Sequence, residues 1–263
     1  MLSMRYDYKV VPDFEQLVKL LPPKAVASPL RSTLPLLDFW RSPESRLTEL
    51  SAAIGVPLLP PTELCFEFPV PVQRGRGKSS FTDFMIIAKS AVVAIEAKFT
   101  EPSYQTAGAW LRDPPEANRS EVLEGWLHLI RSATGTSLSV AEVLDLPYQL
   151  IHRTASVCSV SGQVRAMVRA VVYQVFGQEP LDFGRDPLAY YLNNLSDLRQ
   201  RLGPTAPIGF HVLSCPLSPL PTHTDLVKQW KQRNHPVGDA VRTALLTGTL
   251  FSFGKPTSQS LTG

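Results

Sequence analysis

The sequence has few cysteines and no long apolar run. Its three cysteines, Cys65, Cys158 and Cys215, are odd in number and far apart, which excludes a disulfide framework and a zinc ribbon. We expect them to be reduced and buried thiols. No stretch approaches the 18 apolar residues of a membrane-spanning helix. The first eleven residues mix charges with tyrosines and lack the apolar segment of a secretory signal. We therefore expect a cytoplasmic protein without a membrane partner.

Several catalytic and ligand-binding motifs are also absent. The five histidines form no paired arrangement typical of zinc sites, and there is neither a phosphate-binding P-loop nor a Gly-x-Ser-x-Gly nucleophile elbow. Neither sign of charge dominates, because 26 lysines and arginines face 23 acids, a formal net charge of +3. That balance permits a nucleic-acid partner without requiring one. A hydrophobic content of 44% excludes a disordered chain and allows a sizeable core.

Proline, with 24 residues, punctuates a chain that alternates between helical and extended patterns. We predict helices at 43–54, 118–132, 148–158 and 186–202, and strands at 65–72, 81–88, 91–99, 164–176 and 208–215. This order predicts an α/β (α+β) fold with a mixed β-sheet flanked by helices. We expect one domain over 1–253, with a core at 42–215, basic helices over 222–247 and a flexible tail at 254–263. The prolines of the first strand indicate a sheet edge or a strand end.

Two charged residues interrupt a strand that is otherwise apolar. Glu96 and Lys98 lie in the run Ala91–Phe99, AVVAIEAKF, in which all other residues are apolar. Side chains alternate along a strand, so both charges lie on one face. Burying either charge without a partner costs several kcal/mol. The pattern indicates a functional charge cluster, with a structural buried ion pair or a solvent-facing strand end as the alternatives.

The preceding strand brings a second acid to the same place. If residues 89–90 form a two-residue turn, Ala88 pairs with Ala91 and Asp83 lies directly across from Glu96. Facing carboxylates repel one another, since their Cβ atoms are about 4.5–5.5 Å apart. A divalent cation between them would remove the repulsion, and Mg²⁺ is commonly held by one or two carboxylates plus water. We therefore predict a metal site at these two acids.

The motif Thr82-Asp83, then twelve residues, then Glu96-Ala97-Lys98 resembles the active-site signature of the PD-(D/E)XK nuclease superfamily. The resemblance extends over residues 42–176, and it implies a restriction-endonuclease-like αβββαβ core with helical additions at both ends. Two features depart from the family pattern. Threonine replaces the proline before the aspartate, and the segment between the third and fourth strands is long for a single crossover.

The resemblance also implies an activity. Asp83 and Glu96 would ligate Mg²⁺, or Mn²⁺ in its place, together with the main-chain carbonyl of Ala97. Lys98 would position or deprotonate the attacking water and stabilise charge on the scissile phosphate. The expected protein is a metal-dependent endonuclease that hydrolyses DNA phosphodiesters; RNA as the substrate and a homodimer as the assembly are left open. The alternative is a catalytically inactive nuclease-fold protein that binds nucleic acid or a protein.

Many members of the superfamily carry a further acid on the first helix. Glu49 is the candidate for this position, and a solvated surface glutamate is the alternative interpretation. Glu63 and Glu67, near the first strand, are other candidates for the same role.

Two polar stretches could contact nucleic acid. Gln149, His152 and Arg153 lie on one face of the helix at 148–158, where some members of the superfamily place a glutamine or a basic side chain. An ordinary polar helix face is the alternative. The loop before the Asp83 strand carries Arg74-Gly-Arg76-Gly-Lys78, whose cations could grip phosphates while the glycines let the backbone approach closely. Its alternative is a solvated basic loop.

Overall fold

The computed structural model describes residues 1–101, 104–112, 117–177, 187–233 and 237–261. The strands are β1 (Leu2–Tyr6), β2 (Lys9–Val11), β3 (Thr62–Val70), β4 (Ser80–Ala88), β5 (Ala91–Lys98), β6 (Val168–Gly177), β7 (Gly209–Pro219), β8 (Phe251–Phe253) and β9 (Thr257–Leu261). The helices are α1 (Phe14–Leu20), α2 (Thr33–Phe39), α3 (Pro43–Ile54), α4 (Ala107–Arg112), α5 (Ala117–Thr134), α6 (Tyr148–Val164), α7 (Pro187–Leu202), α8 (Pro221–Arg233) and α9 (Gly238–Thr247). Short 3-10 turns lie at Pro23–Val26 and Ala141–Val143.

One mixed sheet runs through the molecule in the order β2-β1-β3-β4-β5-β6-β7-β8, and β9 also pairs with β7. Strands β3, β4 and β5 are antiparallel neighbours, whereas β5, β6 and β7 are parallel. Helices α1, α2, α3, α8 and α9 contribute to the core on one face, and α4, α5, α6 and α7 contribute to the core on the other. The predicted α/β class with a mixed, helix-flanked sheet is confirmed.

Strand β5 lies in the centre of the sheet, and this position explains why its sequence is apolar on both faces. All eight of its residues are buried, because helices cover the sheet on both sides.

The three cysteines are buried free thiols, as predicted. No helix within the described ranges is long and apolar enough to span a membrane.

The register predicted for β4 and β5 is confirmed. Ile87 pairs with Val92 and Phe84 pairs with Ile95, as the turn at residues 89–90 requires. Phe84–Ile95 is the last pair of this ladder, and the next position along it would join Asp83 to Glu96. The two strands therefore separate at the predicted acids.

A second interruption lies on the other side of β4. Phe66 pairs with Phe84 and Phe68 pairs with Thr82, so Glu67 lies opposite Asp83 at the break. Glu67 has a φ of +48°, and Phe66 packs into one core whereas Phe68 packs into the other. Strand β3 therefore changes face at Glu67 without the extra residue of a β-bulge, because its register against β4 is the same on both sides of Glu67. Both neighbours of β4 leave the regular ladder at the same level.

The ends of several elements differ from the sequence predictions. Helix α6 continues to Val164, so the strand predicted to begin at 164 begins at Val168. Strand β3 ends at Val70 and is not an outer strand, because β1 pairs with residues 62–66. Its prolines lie beyond that pairing, which agrees with the predicted strand end. The helix predicted from Asp186 begins at Pro187, and Asp186 itself lies outside the described residues.

The prediction of a flexible tail at 254–263 is wrong for residues 257–261. Residues 257–261 form β9, which pairs antiparallel with β7 from Leu261 opposite Phe210 to Thr257 opposite Ser214. The apolar strand β7 would otherwise expose the edge that β9 covers. Residues 262–263 of the predicted tail lie outside the described part of the chain.

Candidate active site

The charges of β5 lie beneath α6, at the end of the strand. Glu96 is 1% exposed and Lys98 is 3% exposed. The Lys98 Nζ donates hydrogen bonds of 2.8 Å to Glu96 Oε1 and of 2.8 Å to Gln149 Oε1. The solvent-facing alternative for this strand end is therefore wrong, and the two charges form a buried ion pair within a larger polar cluster.

Helix α6 supplies two further members of this cluster. Gln149 and Arg153 are four residues apart and so lie on one helix face, and both are buried. Gln149 Nε2 donates to Glu96 Oε1, and Arg153 Nε donates to Glu96 Oε2. The polar stripe predicted on this helix therefore faces the sheet and not solvent. Glu96 accepts hydrogen bonds from three side chains.

Asp83 completes the cluster from β4. Its Oδ2 accepts a hydrogen bond of 2.9 Å from the main-chain N–H of Ala97, in place of the strand pairing that ends at this level. Its Oδ1 lies 3.5 Å from Arg153 Nη2, and its side chain is 25% exposed. Asp83 and Glu96 thus contact the same guanidinium group. The structure brings Asp83, Glu96, Lys98, Gln149 and Arg153 together.

The pKa values of the two acids are shifted in opposite directions. Burial raises the pKa of Asp83 well above its ordinary value, and Glu96 adds to the rise although Arg153 and Lys98 oppose it. Burial also acts to raise the pKa of Glu96, but Arg153 and Lys98 lower it to about 2. Glu96 is therefore ionised at neutral pH, and Asp83 binds a proton more readily than an ordinary aspartate. When all four charges are present, two acids balance two bases.

His152 lies beside the cluster and contacts the acids only through Arg153. Its Nδ1 lies 2.8 Å from Ser80 Oγ, and Arg153 Nη1 donates to the same Ser80 Oγ over 3.2 Å. Burial lowers the pKa of His152 well below its ordinary value, and Arg153 lowers it further. The ring is therefore neutral at neutral pH, and it helps to hold Arg153 in place.

Of the additional acids, Glu49 is not part of the cluster. It lies on α3, which packs against β7 and β9, and its carboxylate pairs with Arg46 at 2.6 Å. The candidate role of Glu49 in the site is wrong because the first helix covers another part of the sheet. Of the two candidates near the first strand, Glu63 pairs with Arg5 at 2.8 Å, whereas Glu67 lines a pocket together with Asp83. Burial raises its pKa.

The basic loop between β3 and β4 is held against α5. The Asn118 side chain bonds both the N–H and the carbonyl of Arg76. A Cβ at Gly75, whose φ is +74°, would lie 2.8 Å from Asn118 Oδ1. Gly75 therefore allows the loop to approach α5 closely, whereas a Cβ at Gly77 would meet no atom within 4 Å. The side chains of Arg74, Arg76 and Lys78 are exposed.

Two residues of the site carried no signal in the sequence. The ring of Tyr104 lies over Lys98, with Nζ 4.0 Å from the ring centre. Tyr104 lies in a segment without periodic pattern, so only tertiary contact identifies it. Ser80 contacts His152 and Arg153, but an isolated serine at the start of a strand has no distinctive pattern.

The donor set suits a hard divalent cation. The carboxylates of Asp83 and Glu96 converge on one place, and carboxylates are preferred ligands of Mg²⁺. The N–H of Ala97 points to β4, and since a strand residue directs its N–H and carbonyl to the same neighbour, its carbonyl is directed to the β4 side as well. These oxygens are suitable ligands for an ion that keeps several of its waters. The guanidinium group of Arg153 lies between the two carboxylates and contacts both. The described residues contain no group of three or more His, Cys, Asp or Glu side chains around one such position.

Comparison with known proteins identifies a family. The protein-family model described as "Domain of unknown function (DUF6946)" matches residues 12–249 of this chain. The match spans most of the chain and contains every residue of the cluster, so the chain belongs to this family. No curated protein and no solved structure matches the chain.

Proposed function

We propose that this member of the DUF6946 family hydrolyses phosphodiester bonds of nucleic acid, with DNA as the first candidate substrate. The observation that carries the proposal is the meeting of Asp83, Glu96 and Lys98 on one face of the sheet, where β4 and β5 separate. Such charges inside apolar strands cost several kcal/mol of folding free energy when they are unpaired, and here Arg153 and Gln149 compensate them. The order of helix, three strands, helices and strand around it also agrees with the superfamily that the motif resembles.

Each residue has a role in this proposal. Asp83, Glu96 and the carbonyl of Ala97 would hold Mg²⁺ or Mn²⁺. The bound ion would lower the pKa of a water molecule and polarise the phosphoryl oxygen. Burial acts to lower the pKa of Lys98, but Glu96 and Asp83 raise it. Lys98 therefore stays protonated, and we assign to it the stabilisation of phosphate charge and not the removal of a proton.

Gln149 acts through its neighbours. It accepts a hydrogen bond from Lys98 and donates one to Glu96, so it fixes both groups relative to one another. The exposed cations of Arg74, Arg76 and Lys78 lie on the loop that leads into Ser80, a neighbour of Arg153. They would hold the phosphate backbone at the entrance to the cluster.

The test compares nicking of supercoiled plasmid and cleavage of labelled oligonucleotides in Mg²⁺, Mn²⁺ or EDTA. We expect metal-dependent cleavage by the unmodified protein and a loss of at least about 100-fold in Asp83→Asn, Glu96→Gln and Lys98→Met, since each removes a group that stabilises the transition state. Glu49→Gln is the matched control, because this acid lies outside the cluster, and it should cleave normally. Undiminished cleavage by Glu96→Gln would overturn the proposal.

One observation favours a second function. Arg153 contacts both acids, so the two acids share a counter-ion without a metal ion. A protein that uses the cluster only for structure would bind nucleic acid equally well in EDTA and in the presence of metal. It would cleave nucleic acid neither with Mg²⁺ nor with Mn²⁺. Binding without cleavage by the unmodified protein is the result that would establish this function in place of the first.

A further inference from the structure

Three groups within the described part of the chain surround the ammonium group of Lys98. A lysine side chain has three N–H donors, and two of them bond Glu96 Oε1 and Gln149 Oε1, each over 2.8 Å. The ring of Tyr104 makes the remaining contact, with its centre 4.0 Å from Nζ. Lys98 itself is only 3% exposed. A phosphate oxygen can therefore reach this ammonium group only where one of the three contacts gives way.

The contact with Tyr104 is the weakest of the three, because a cation–π contact contributes less than a hydrogen bond to a charged group. Glu96 and Gln149 are both buried, whereas Tyr104 is 44% exposed. The Tyr104 hydroxyl has no hydrogen-bond partner among the described residues. The ring is therefore the contact that an incoming group can displace.

Displacement of the ring needs rotation of the side chain and no movement of the flanking main chain. Before Tyr104, the carboxylate of Glu101 accepts a hydrogen bond of 2.6 Å from the main-chain N–H of Ser32. After it, the carbonyl of Gln105 accepts one of 3.1 Å from the N–H of Tyr148. Exposed side chains change rotamer rapidly, and the space that a phenol ring leaves is larger than a phosphate group.

From this geometry we infer that Tyr104 is a displaceable cover of Lys98: its ring occupies the position that a phosphate oxygen of the substrate takes, and the substrate displaces it. The inference rests on the proposed function and adds a residue that regulates access to the same site. Lys98 Nζ lies 2.8 Å from Glu96 Oε1, a ligand of the proposed ion, so an oxygen that replaced the ring would lie beside that ion. Substrate binding then costs the free energy of the ring contact.

The first test measures the reactivity of Lys98 and does not depend on cleavage. The protein is treated in EDTA with a trace of acetic anhydride, and acetylation of each lysine is quantified by peptide mass spectrometry, with the exposed Lys89 as the internal reference. We expect Tyr104→Ala to raise the acetylation of Lys98 relative to Lys89 by about 2- to 30-fold, the factor that corresponds to one cation–π contact. Tyr104→Phe keeps the ring and should protect Lys98 as the unmodified protein does.

The second test measures cleavage kinetics in Mg²⁺. In Tyr104→Ala the substrate has no ring to displace, so we expect KM to fall by about 2- to 30-fold while kcat is not reduced. A residue that only holds Lys98 in place would show a different pattern, a lower kcat. Tyr8→Ala removes an exposed ring from the β1–β2 hairpin, and this control should leave both constants unchanged.

Two results would overturn the inference: unchanged acetylation of Lys98 in Tyr104→Ala, or a kcat that falls without a fall in KM. Increased acetylation of Lys98 in a protein that never cleaves would support the cover and overturn only the nuclease proposal.

Discussion

At the scale of single residues, Glu96 organises the site. It accepts hydrogen bonds from Lys98, Gln149 and Arg153, and it is almost completely buried. An ionised carboxylate in such a place requires compensation of its charge, since an unpaired buried charge costs far more than a paired one. Arg153 compensates both acids, because it also contacts Asp83. Replacing Arg153 should therefore remove the positive charge that the two carboxylates share.

We predict that Arg153→Ala lowers the free energy of unfolding by about 3–5 kcal/mol in EDTA, because it leaves Glu96 underpaired and Asp83 without its cation. Urea unfolding measures the loss. If the acids bind Mg²⁺, saturating Mg²⁺ should restore part of it. Arg201→Ala is the control, since Arg201 pairs with Asp145 at the surface and its loss should cost at most about 1 kcal/mol. Similar losses in the two variants would contradict this account of the cluster.

At the scale of elements, α6 shows why one helix can serve both core and site. Its apolar residues, such as Leu150 and Ile151, belong to the core between the helices and the sheet. Its polar residues Gln149 and Arg153 are also buried, because they meet the charges at the end of β5.

The basic loop should determine the salt dependence of nucleic-acid binding. We predict that the double change Arg76→Ala and Lys78→Ala lowers the slope of log Kobs against log salt concentration by about 1.8 on duplex DNA, or about 1.4 on single strands, because two phosphate contacts are lost. The control is Lys9→Ala with Lys89→Ala, which removes two exposed lysines elsewhere and leaves the same net charge. Equal slopes for the two doubles would show that the loop does not contact phosphates.

Strand β9 is joined to β7 through a buried histidine. His211 Nδ1 lies 2.8 Å from Ser260 Oγ, and burial lowers the pKa of His211 to about 4. A histidine in the unfolded chain has a pKa near 6.5. The folded state is therefore favoured while His211 is neutral: the contribution is complete above about pH 6.5 and is lost as the pH falls towards 4.

We predict that this single group accounts for about 3 kcal/mol of the stability lost between pH 7 and pH 4. His211→Gln cannot titrate, so its free energy of unfolding should fall by that much less over the same interval. His128→Gln, which changes an exposed histidine, is the control. Parallel stability curves for His211→Gln and the unmodified protein would contradict the prediction.

At the scale of the whole molecule, one sheet covered by helices on both faces carries the site at the level where β4 leaves its neighbours. Strands β3 and β5 both depart from regular pairing with β4 at Asp83. The carboxylate can therefore turn to the Ala97 N–H and to Arg153. A ligand that binds only this folded arrangement stabilises the entire domain.

We predict that saturating Mg²⁺ raises the thermal unfolding midpoint by about 5–10 °C, since a ligand at 100 times its Kd contributes about 2.7 kcal/mol. Differential scanning fluorimetry with Mg²⁺ and with EDTA measures the shift. Asp83→Asn and Glu96→Gln should show none, whereas Glu49→Gln should respond as the unmodified protein does. A response that is the same in all four proteins would place the ion elsewhere, and no response in any of them would favour the metal-free function.

The sequence alone was sufficient for the order of the main elements between residues 43 and 215 and for the central part of the site. Alternation along Ala91–Phe99 placed Glu96 and Lys98 on one face, and the length of the turn at 89–90 set the register of β4 against β5. Both are local properties with a fixed period, so they can be counted along the chain. The same reasoning predicted that Gln149, His152 and Arg153 share a helix face.

Only the tertiary structure decided which of those faces is buried and what meets there. The joining of Arg153 to both acids, the ring of Tyr104 over Lys98, and the exclusion of Glu49 depend on how helices far apart in sequence pack on the sheet. The pairing of β9 with β7 is likewise a contact over some 50 residues, which neither composition nor periodicity encodes. Long-range packing chooses among faces that the local pattern leaves equivalent, because burial is a property of both partners and not of either segment alone.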